Sequence, residues 1–250
     1  MELIVSEKVV DVDVEEGLRE AYNIMKKLAS GINIDLEYPE VNERGWIRIK
    51  FFGEDSELFI ELLRRKFGIT PLSSSEIKIG DIFRGFVTDI NEKCLKLDIG
   101  ISSSEFKDGS YSLSRLQTQL FNGLDASIEE IVNSFCLHKG MPLEVRVVKI
   151  DEDGNLDLEL SDEQIDYLNE WKKIPVERVI VSGALLKDVF KAIKSAKVDR
   201  DIIKTESLSL TIHILTCKLG TDATGIIAKI SYFLKRPKFF SLNVGHYGKI

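Results

Sequence analysis

The first 72 residues alternate between the hydrophobic spacings of helices and of strands. Apolar side chains three or four positions apart mark one face of a helix, whereas alternating apolar and polar residues mark a half-buried strand. Gly31 and Gly68 follow the two helical stretches, where glycine supplies a left-handed cap. The predicted elements are, in chain order, a strand at Leu3-Ile4-Val5, a helix over 14–30, strands at 32–36 and 46–51, and a helix over 58–67. Residues 1–72 are therefore predicted to form a small β-α-β-β-α domain.

The last part of the chain, residues 163–250, shows the same spacings. Pro237 marks the end of its second helical stretch, because proline cannot continue a helix. The predicted elements are a strand at 176–181, a helix over 185–193, a strand at 208–214, a helix over 226–234 and a strand at 240–244. This part is predicted to be a second small α+β domain, and the two flanking segments are both classed as β-α-β-β-α, although the apolar pattern here marks only one strand between the two helices.

Between these two parts, residues 76–162 are rich in strands at both ends. The four strands predicted from alternation are 82–90, 94–99, 143–150 and 155–160. Asp153-Gly154 separates the last two, and an Asp-Gly pair in that place is a strong hairpin signal. The polar stretch 101–138 is predicted to hold two short helices, the second started by the capping box Ser127-Ile128-Glu129-Glu130.

Two runs in this central part resemble the RNA-binding barrel named after ribosomal protein S-one. They are Gly80-Asp81-Ile82-Phe83-Arg84-Gly85-Phe86-Val87 and Gly140-Met141-Pro142-Leu143-Glu144-Val145-Arg146, the second continuing through Asp153-Gly154 to Ser161. The first is similar to the first strand of that barrel and the second to its last two strands. The resemblance implies a five-stranded barrel of the oligonucleotide-binding type, interrupted near 112–136 by a mostly helical insert.

The resemblance also implies which barrel residues would contact RNA, namely Arg84, Phe86 and Arg146. Phe86 stands where that barrel often has a basic residue, and its ring offers a surface on which a base could stack. The alternative is that Phe86 is ordinary barrel packing. The aromatic-glycine turn usual in the second hairpin is replaced by Asn91-Glu92-Lys93-Cys94. Residues 73–162 carry a net charge of −8, which disfavours tight binding of a phosphate backbone by this barrel alone.

The whole arrangement, an S-one-like barrel with a helical insert between two small α+β segments, resembles a family of archaeal proteins of uncharacterised function. The run Cys217-Lys218-Leu219-Gly220-Thr221-Asp222-Ala223-Thr224-Gly225 adds to this resemblance, which spans nearly the full chain. This resemblance implies a multidomain α+β architecture, but it implies no particular activity.

Charge is distributed unevenly along the chain. The net charge of −7 divides into −5 over residues 1–72, −8 over residues 73–162 and +6 over residues 163–250. Lys187, Lys191 and Lys194 are spaced to lie on one face of the helix predicted over 185–193. This spacing predicts phosphate contacts from a basic C-terminal face, with an ordinary solvated helix face as the alternative.

The residues that usually hold metals or act as nucleophiles are few and scattered. The cysteines are Cys94, Cys136 and Cys217, and the histidines are His138, His213 and His246. No set has the spacing of a zinc site or a disulfide framework, so neither a metal nor a cofactor is expected. No nucleophile motif is recognisable, so the protein is expected not to be an enzyme, although a composite active site would leave no motif.

These observations favour a non-catalytic RNA-associated protein, in translation or RNA processing, with RNA or a ribonucleoprotein as its partner. The rival hypothesis is a protein-interaction adaptor whose acidic barrel docks a basic protein. No apolar run approaches the ~20 residues of a spanning helix, and the N-terminus lacks the features of a signal peptide. A cytoplasmic location without a membrane partner is therefore expected.

Overall fold

The computed structural model describes residues 1–71, 76–101 and 108–242. In the N-terminal part, the Asp13 carboxylate accepts the N–H of Glu16 and so caps the first helix. The elements are β1 (Glu2–Lys8), α1 (Val14–Leu28), β2 (Asp35–Leu36), β3 (Glu40–Val41), β4 (Trp46–Phe52) and α2 (Ser56–Phe67). Strand β4 lies at the centre, antiparallel to β1, β2 and β3. The apolar faces of α1 and α2 form one core with this sheet. The predicted strands and helices are present in their predicted order, and the two-residue strand β3 is an addition to them.

The central part is a closed five-stranded barrel, as predicted. Its strands are β5 (Ile82–Ile90), β6 (Cys94–Asp98), β7 (Gly109–Ser112), β8 (Pro142–Ile150) and β9 (Leu156–Leu160). They follow the order β5-β6-β7-β9-β8, and the parallel contact between β7 and β9 completes the ring. Helices α3 (Leu113–Leu120) and α4 (Ile128–Phe135) form the predicted insert between β7 and β8, and the capping box at Ser127 and Glu130 is present.

The C-terminal part is an antiparallel sheet covered by helices on one face. After α5 (Asp162–Lys173), its elements are β10 (Arg178–Ser182), α6 (Leu186–Ser195), β11 (Ile202–Ser207), β12 (Ile212–Cys217), α7 (Ala223–Ile230) and β13 (Lys238–Leu242). The strand order is β11-β12-β10-β13. One face packs on α6 and α7. The other face contributes Ile180, Ile212, Ile214 and Leu242 to the barrel core, so the barrel and this sheet share one hydrophobic core.

The strand predicted at 208–214 is displaced in the structure. Leu208 donates its N–H to the carbonyl of Ile212 at 2.9 Å, so the chain reverses direction there. This turn separates β11, which the apolar pattern did not predict, from β12. The half-buried pattern of β11 gives it a weak apolar signal. Helix α7 ends at Ile230, earlier than predicted, and the predicted strand residue Val244 lies outside the described residues.

Candidate nucleic-acid interface

The outer face of the barrel near β5 is covered by the N-terminal sheet. The Phe86 ring is 1% exposed and packs edge-on against Trp46, with ring centroids 5.3 Å apart. Gly100, at φ +86°, permits Thr70 and Trp46 to lie close to the backbone that follows β6, because a Cβ there would lie 2.5 Å from Cγ2 of Thr70 and 3.3 Å from Cδ2 of Trp46. Of the two interpretations of Phe86, the structure therefore favours packing over an open stacking surface.

A buried carboxylate joins the barrel to the same N-terminal sheet. Asp98 is 1% exposed at the end of β6. One of its oxygens, Oδ2, lies 2.8 Å from Lys8 Nζ, 2.9 Å from Trp46 Nε1 and 3.1 Å from Arg44 Nε. The other oxygen accepts the backbone N–H of Gly100 at 3.0 Å. These partners satisfy the buried charge, so Asp98 holds the two parts together instead of facing solvent.

Arg84 sits where all three parts of the chain meet. Its Nη1 lies 2.5 Å from Oε1 of Glu7 on β1, and its Nη2 donates to the carbonyl of Leu208 in the C-terminal part. The other Glu7 oxygen accepts the N–H of Leu210 at 3.0 Å. Burial raises the pKa of Glu7 above its ordinary value of 4.5, and Arg84 opposes that rise. The guanidinium that the resemblance assigned to RNA is thus engaged in an ion pair between the barrel and the N-terminal part of the chain, which we call the Glu7–Arg84 lock.

Arg146 is also paired within the barrel region. Its guanidinium contacts Glu159 at 3.2 Å and Asp162 at 2.7 Å. Asp162 is exposed, so this second contact can be exchanged with solvent at little cost. The role of Arg146 toward RNA remains a prediction, because a half-exposed guanidinium can leave such a pair for a phosphate.

The three lysines of α6 lie on its outer surface, and we call them the α6 face. Lys187 forms an ion pair of 3.0 Å with Glu20 of α1. Lys191 and Lys194 are exposed, and neither forms an ion pair within the described part of the chain. The structure therefore brings all three to one accessible surface, as the spacing predicted, with one of them already bound to an acidic side chain.

Acidic residues of the N-terminal part face the basic C-terminal part along this surface. Lys238 contacts both carboxylate oxygens of Asp11 at 2.9 Å, and Lys235 lies 3.6 Å from Glu16. A cavity of about 640 Å³ lies between α1 and α6 and includes Lys187 and Lys191 in its lining. The charge asymmetry of the sequence is thus partly neutralised inside the molecule. Sequence reasoning missed this pairing because its partners lie more than 150 residues apart.

Burial shifts the pKa values of the buried histidines and cysteines among the described residues. Burial lowers the pKa of His138, which stacks on Phe240 with ring centroids 3.8 Å apart. It also lowers the pKa of His213 to about 4, and raises those of Cys136 and Cys217 to about 11. These groups are uncharged at neutral pH, as ordinary buried residues are. In the described ranges, no group of His, Cys, Asp or Glu is arranged to hold a metal ion.

Comparisons with known proteins place the chain in a family. Residues 77–172 match the family model described as the DUF2110 central domain, and residues 176–240 match the DUF2110 C-terminal domain. No curated protein matches the sequence. Among the helices that the structure describes, none is long and apolar enough to cross a membrane.

Three solved structures show weak likeness. The solution structure of GSP13 from Bacillus subtilis has 21% identity over 36% of this chain, with a TM-score of 0.27. The match spans 59% of GSP13. The a/eIF2alpha–aDim2p–rRNA complex from Pyrococcus horikoshii OT3 has 14% identity over 61% of this chain and 68% of that one, with a TM-score of 0.28. The intact alpha subunit of aIF2 from Pyrococcus abyssi has 10% identity, 67% and 98% coverage, and a TM-score of 0.26. Likeness this weak carries no functional inference.

Proposed function

Because this chain belongs to the DUF2110 family and is built around an oligonucleotide-binding type of barrel, we propose that it is a non-catalytic RNA-associated protein of translation or RNA processing. The single observation that supports this most is the exposed α6 face, which lies on the side of the C-terminal sheet away from the barrel. Three lysines on one surface attract the phosphate backbone and release its counterions. The barrel supports the sheet that carries this face, since the two share one core. Sequence readout by the barrel itself is not part of the proposal, because Phe86 and Arg84 are engaged in internal contacts.

The first prediction concerns the α6 face. Replacing Lys187, Lys191 and Lys194 together by glutamate should weaken binding to single-stranded RNAs of different sequence by similar factors. The magnitude of the slope of log affinity against log salt should fall by about 2, since each phosphate contact contributes about 0.7 for single strands. Fluorescence anisotropy with 20-nucleotide RNAs across a salt series measures both quantities. A folded triple variant that binds RNA like the wild type would contradict the basic-face proposal.

The wild-type protein provides the more general test. If it binds none of these RNAs at low salt, the RNA proposal fails and the adaptor hypothesis replaces it. A suitable control is the replacement of Lys27, an exposed lysine in the last turn of α1, by glutamate. This change alters the net charge without touching the α6 face, so RNA affinity should change far less than in the triple variant.

The second prediction concerns Glu20, which competes with RNA for Lys187. The Glu20→Gln change removes the carboxylate that holds Lys187, so RNA affinity should rise by about two- to five-fold, the equivalent of one exposed ion pair. Glu57→Gln is the matched control, because Glu57 is an acidic residue of the first turn of α2 and lies outside the α6 face. Equal gains in both variants would show a general charge effect and would contradict a specific competition at Lys187.

A further inference from the structure

A cleft lies where the three parts of the chain meet, next to the Glu7–Arg84 lock. It has a volume of about 570 Å³ and is formed by the end of α2, the start of β5 and β8, and one face of α5. This volume is within the ~300–1,000 Å³ range of small-molecule sites. We call it the junction cleft, and define it by Arg64, Lys66, Phe83, Gln164 and Tyr167, which line it with others.

The rim of the junction cleft is basic. Arg64 and Arg65, at the end of α2, are 58% and 76% exposed and share the exposed carboxylate of Glu61, at 2.8 and 2.9 Å. Exposed ion pairs of this kind contribute little to stability, so either guanidinium can turn to a phosphate, which it binds through two parallel hydrogen bonds. Lys66 is exposed beside them, and within the described residues it forms no ion pair.

The opposite wall is aromatic and apolar. Tyr167 on α5 is half-buried, and its ring contacts Trp171 edge-on, with centroids 5.4 Å apart. Burial, followed by the nearby Glu206 carboxylate, raises the pKa of Tyr167 to about 12, so its phenol is neutral at pH 7. Phe83 is also half-buried and lines the cleft. A fixed ring opposite a basic rim is the combination with which proteins hold single-stranded nucleic acids.

Polar groups in the cleft suit a base edge. The Gln164 carbonyl accepts the N–H of Glu144 at 3.0 Å, which orients this side chain and leaves its amide N–H groups as donors. Among the described residues that line the cleft, Glu144 is the acidic one, and its carboxylate accepts the Ser161 hydroxyl at 2.6 Å. The lining therefore combines several cations, one carboxylate, an oriented amide and aromatic rings.

We propose that the junction cleft binds one nucleotide unit of a single-stranded RNA, with the phosphate on the basic rim and the base against Tyr167. This inference rests on the proposed RNA association and adds a site that is distinct from the α6 face. The rim and the ring come from the N-terminal and C-terminal parts of the chain. Occupancy of the cleft therefore requires these parts to be docked, as the Glu7–Arg84 lock holds them.

The experiment uses the full chain and a fluorescein-labelled pentauridylate, which is too short to engage many sites at once. Tyr167→Leu should weaken its binding about five-fold or more, as expected for loss of one stacked base, whereas Tyr167→Phe keeps the ring and should bind like the wild type. Lys66→Glu should also weaken binding, and Lys27→Glu, the charge-matched control, should not. Thermal melting of each variant shows that it is folded. Lys66 is exposed, so its replacement keeps the test valid even if Tyr167→Leu destabilises the chain.

The outcomes separate this inference from the proposed function. If 20-nucleotide RNA binds the wild type but the cleft variants bind pentauridylate unchanged, the junction cleft is not a nucleotide site and the proposed function stands. If the α6 triple variant loses the longer RNA while the cleft variants lose pentauridylate, both are supported. Binding of polyglutamate in place of pentauridylate would overturn the nucleotide assignment in favour of an acidic peptide. Photocrosslinking with 4-thiouridine should map to α5, and a crosslink confined to the barrel would contradict the proposal.

Discussion

Replacing Arg84 by leucine should cost about 3 to 5 kcal/mol of stability, because it leaves the buried Glu7 carboxylate without its counter-charge. The change also removes the hydrogen bond from Arg84 to the carbonyl of Leu208, so contacts between all three parts of the chain weaken together. For a chain of this length, such a loss corresponds to a decrease in melting temperature of roughly 10 °C. Thermal unfolding followed by circular dichroism measures it.

The loss of stability in the Arg84→Leu variant should increase with pH. Folding raises the pKa of Glu7 above its ordinary value of 4.5. Protonation of Glu7 therefore stabilises the folded state, and this stabilisation is fully present below pH 4.5. It is lost as the pH rises through the pKa that Glu7 has in the folded protein. Removing Arg84 removes the strongest influence that lowers this pKa, so the carboxyl is protonated over a wider range. The difference in melting temperature between wild type and variant should therefore be smallest near pH 4.5 and should increase toward pH 8.

A double variant provides the control for the Glu7–Arg84 lock. Glu7→Gln removes the buried charge and leaves an amide with a single carbonyl oxygen, which can replace only one of the two carboxylate oxygens that accept from Arg84 and from the N–H of Leu210. In the double variant Arg84 is absent, so this oxygen is available to the N–H of Leu210. Adding Glu7→Gln to Arg84→Leu should therefore cost less than the sum of the two single changes. Additive losses of stability, or a loss in Arg84→Leu that does not change with pH, would show that the pair does not join the barrel to the N-terminal part as the geometry indicates.

Replacing Phe86 by alanine should likewise destabilise the protein by about 3 to 5 kcal/mol, the usual range for a buried phenylalanine. The ring is 1% exposed and packs on Trp46, so its removal leaves a cavity between the barrel and the N-terminal sheet. RNA affinity, measured well below the melting temperature, should stay within about two-fold of the wild type, less than the ~1 kcal/mol expected for a lost stacked base. Denaturant unfolding and anisotropy on the same samples separate the two quantities.

The conservative variant sharpens the interpretation of Phe86. Phe86→Leu keeps most of the apolar volume and should cost less stability than Phe86→Ala, because the cavity is smaller. If base stacking were the role of this ring, leucine and alanine would reduce RNA affinity alike while stability changed little. That result would contradict the packing role of Phe86 and would support a role in RNA binding.

The sequence predicted the barrel well because its signals are local. Alternating apolar residues, the Asp153-Gly154 turn and the Ser127 capping box each act over a few positions, and each appears in the structure. The weakly apolar β11 was missed, and the strand predicted at 208–214 was displaced. The chain turns between Leu208 and Ile212 through its own backbone hydrogen bonds. The Leu208 carbonyl also accepts from Arg84, more than 100 residues away, a contact that no local pattern encodes.

The sequence likewise predicted one part of the candidate site and missed another. Helical spacing alone placed Lys187, Lys191 and Lys194 on one surface, since side chains three or four residues apart share a helix face. The pairing of Lys187 with Glu20 and the burial of Phe86 against Trp46 depend on how separate segments dock. The junction cleft was likewise invisible in the sequence, because its rim and its aromatic wall come from residues about 100 positions apart.

By itself, the sequence determined the secondary-structure order of most of the chain, the barrel with its helical insert, and the position of the α6 face. Short-range periodicity and turn chemistry are sufficient for these features. Only the tertiary structure decided that Arg84 and Phe86 hold the parts of the chain together and that a basic cleft forms at their junction. These features form when the parts of the chain dock, because burial and ion pairing depend on which distant surfaces meet. A contact between two such surfaces stabilises the protein only once they are in place.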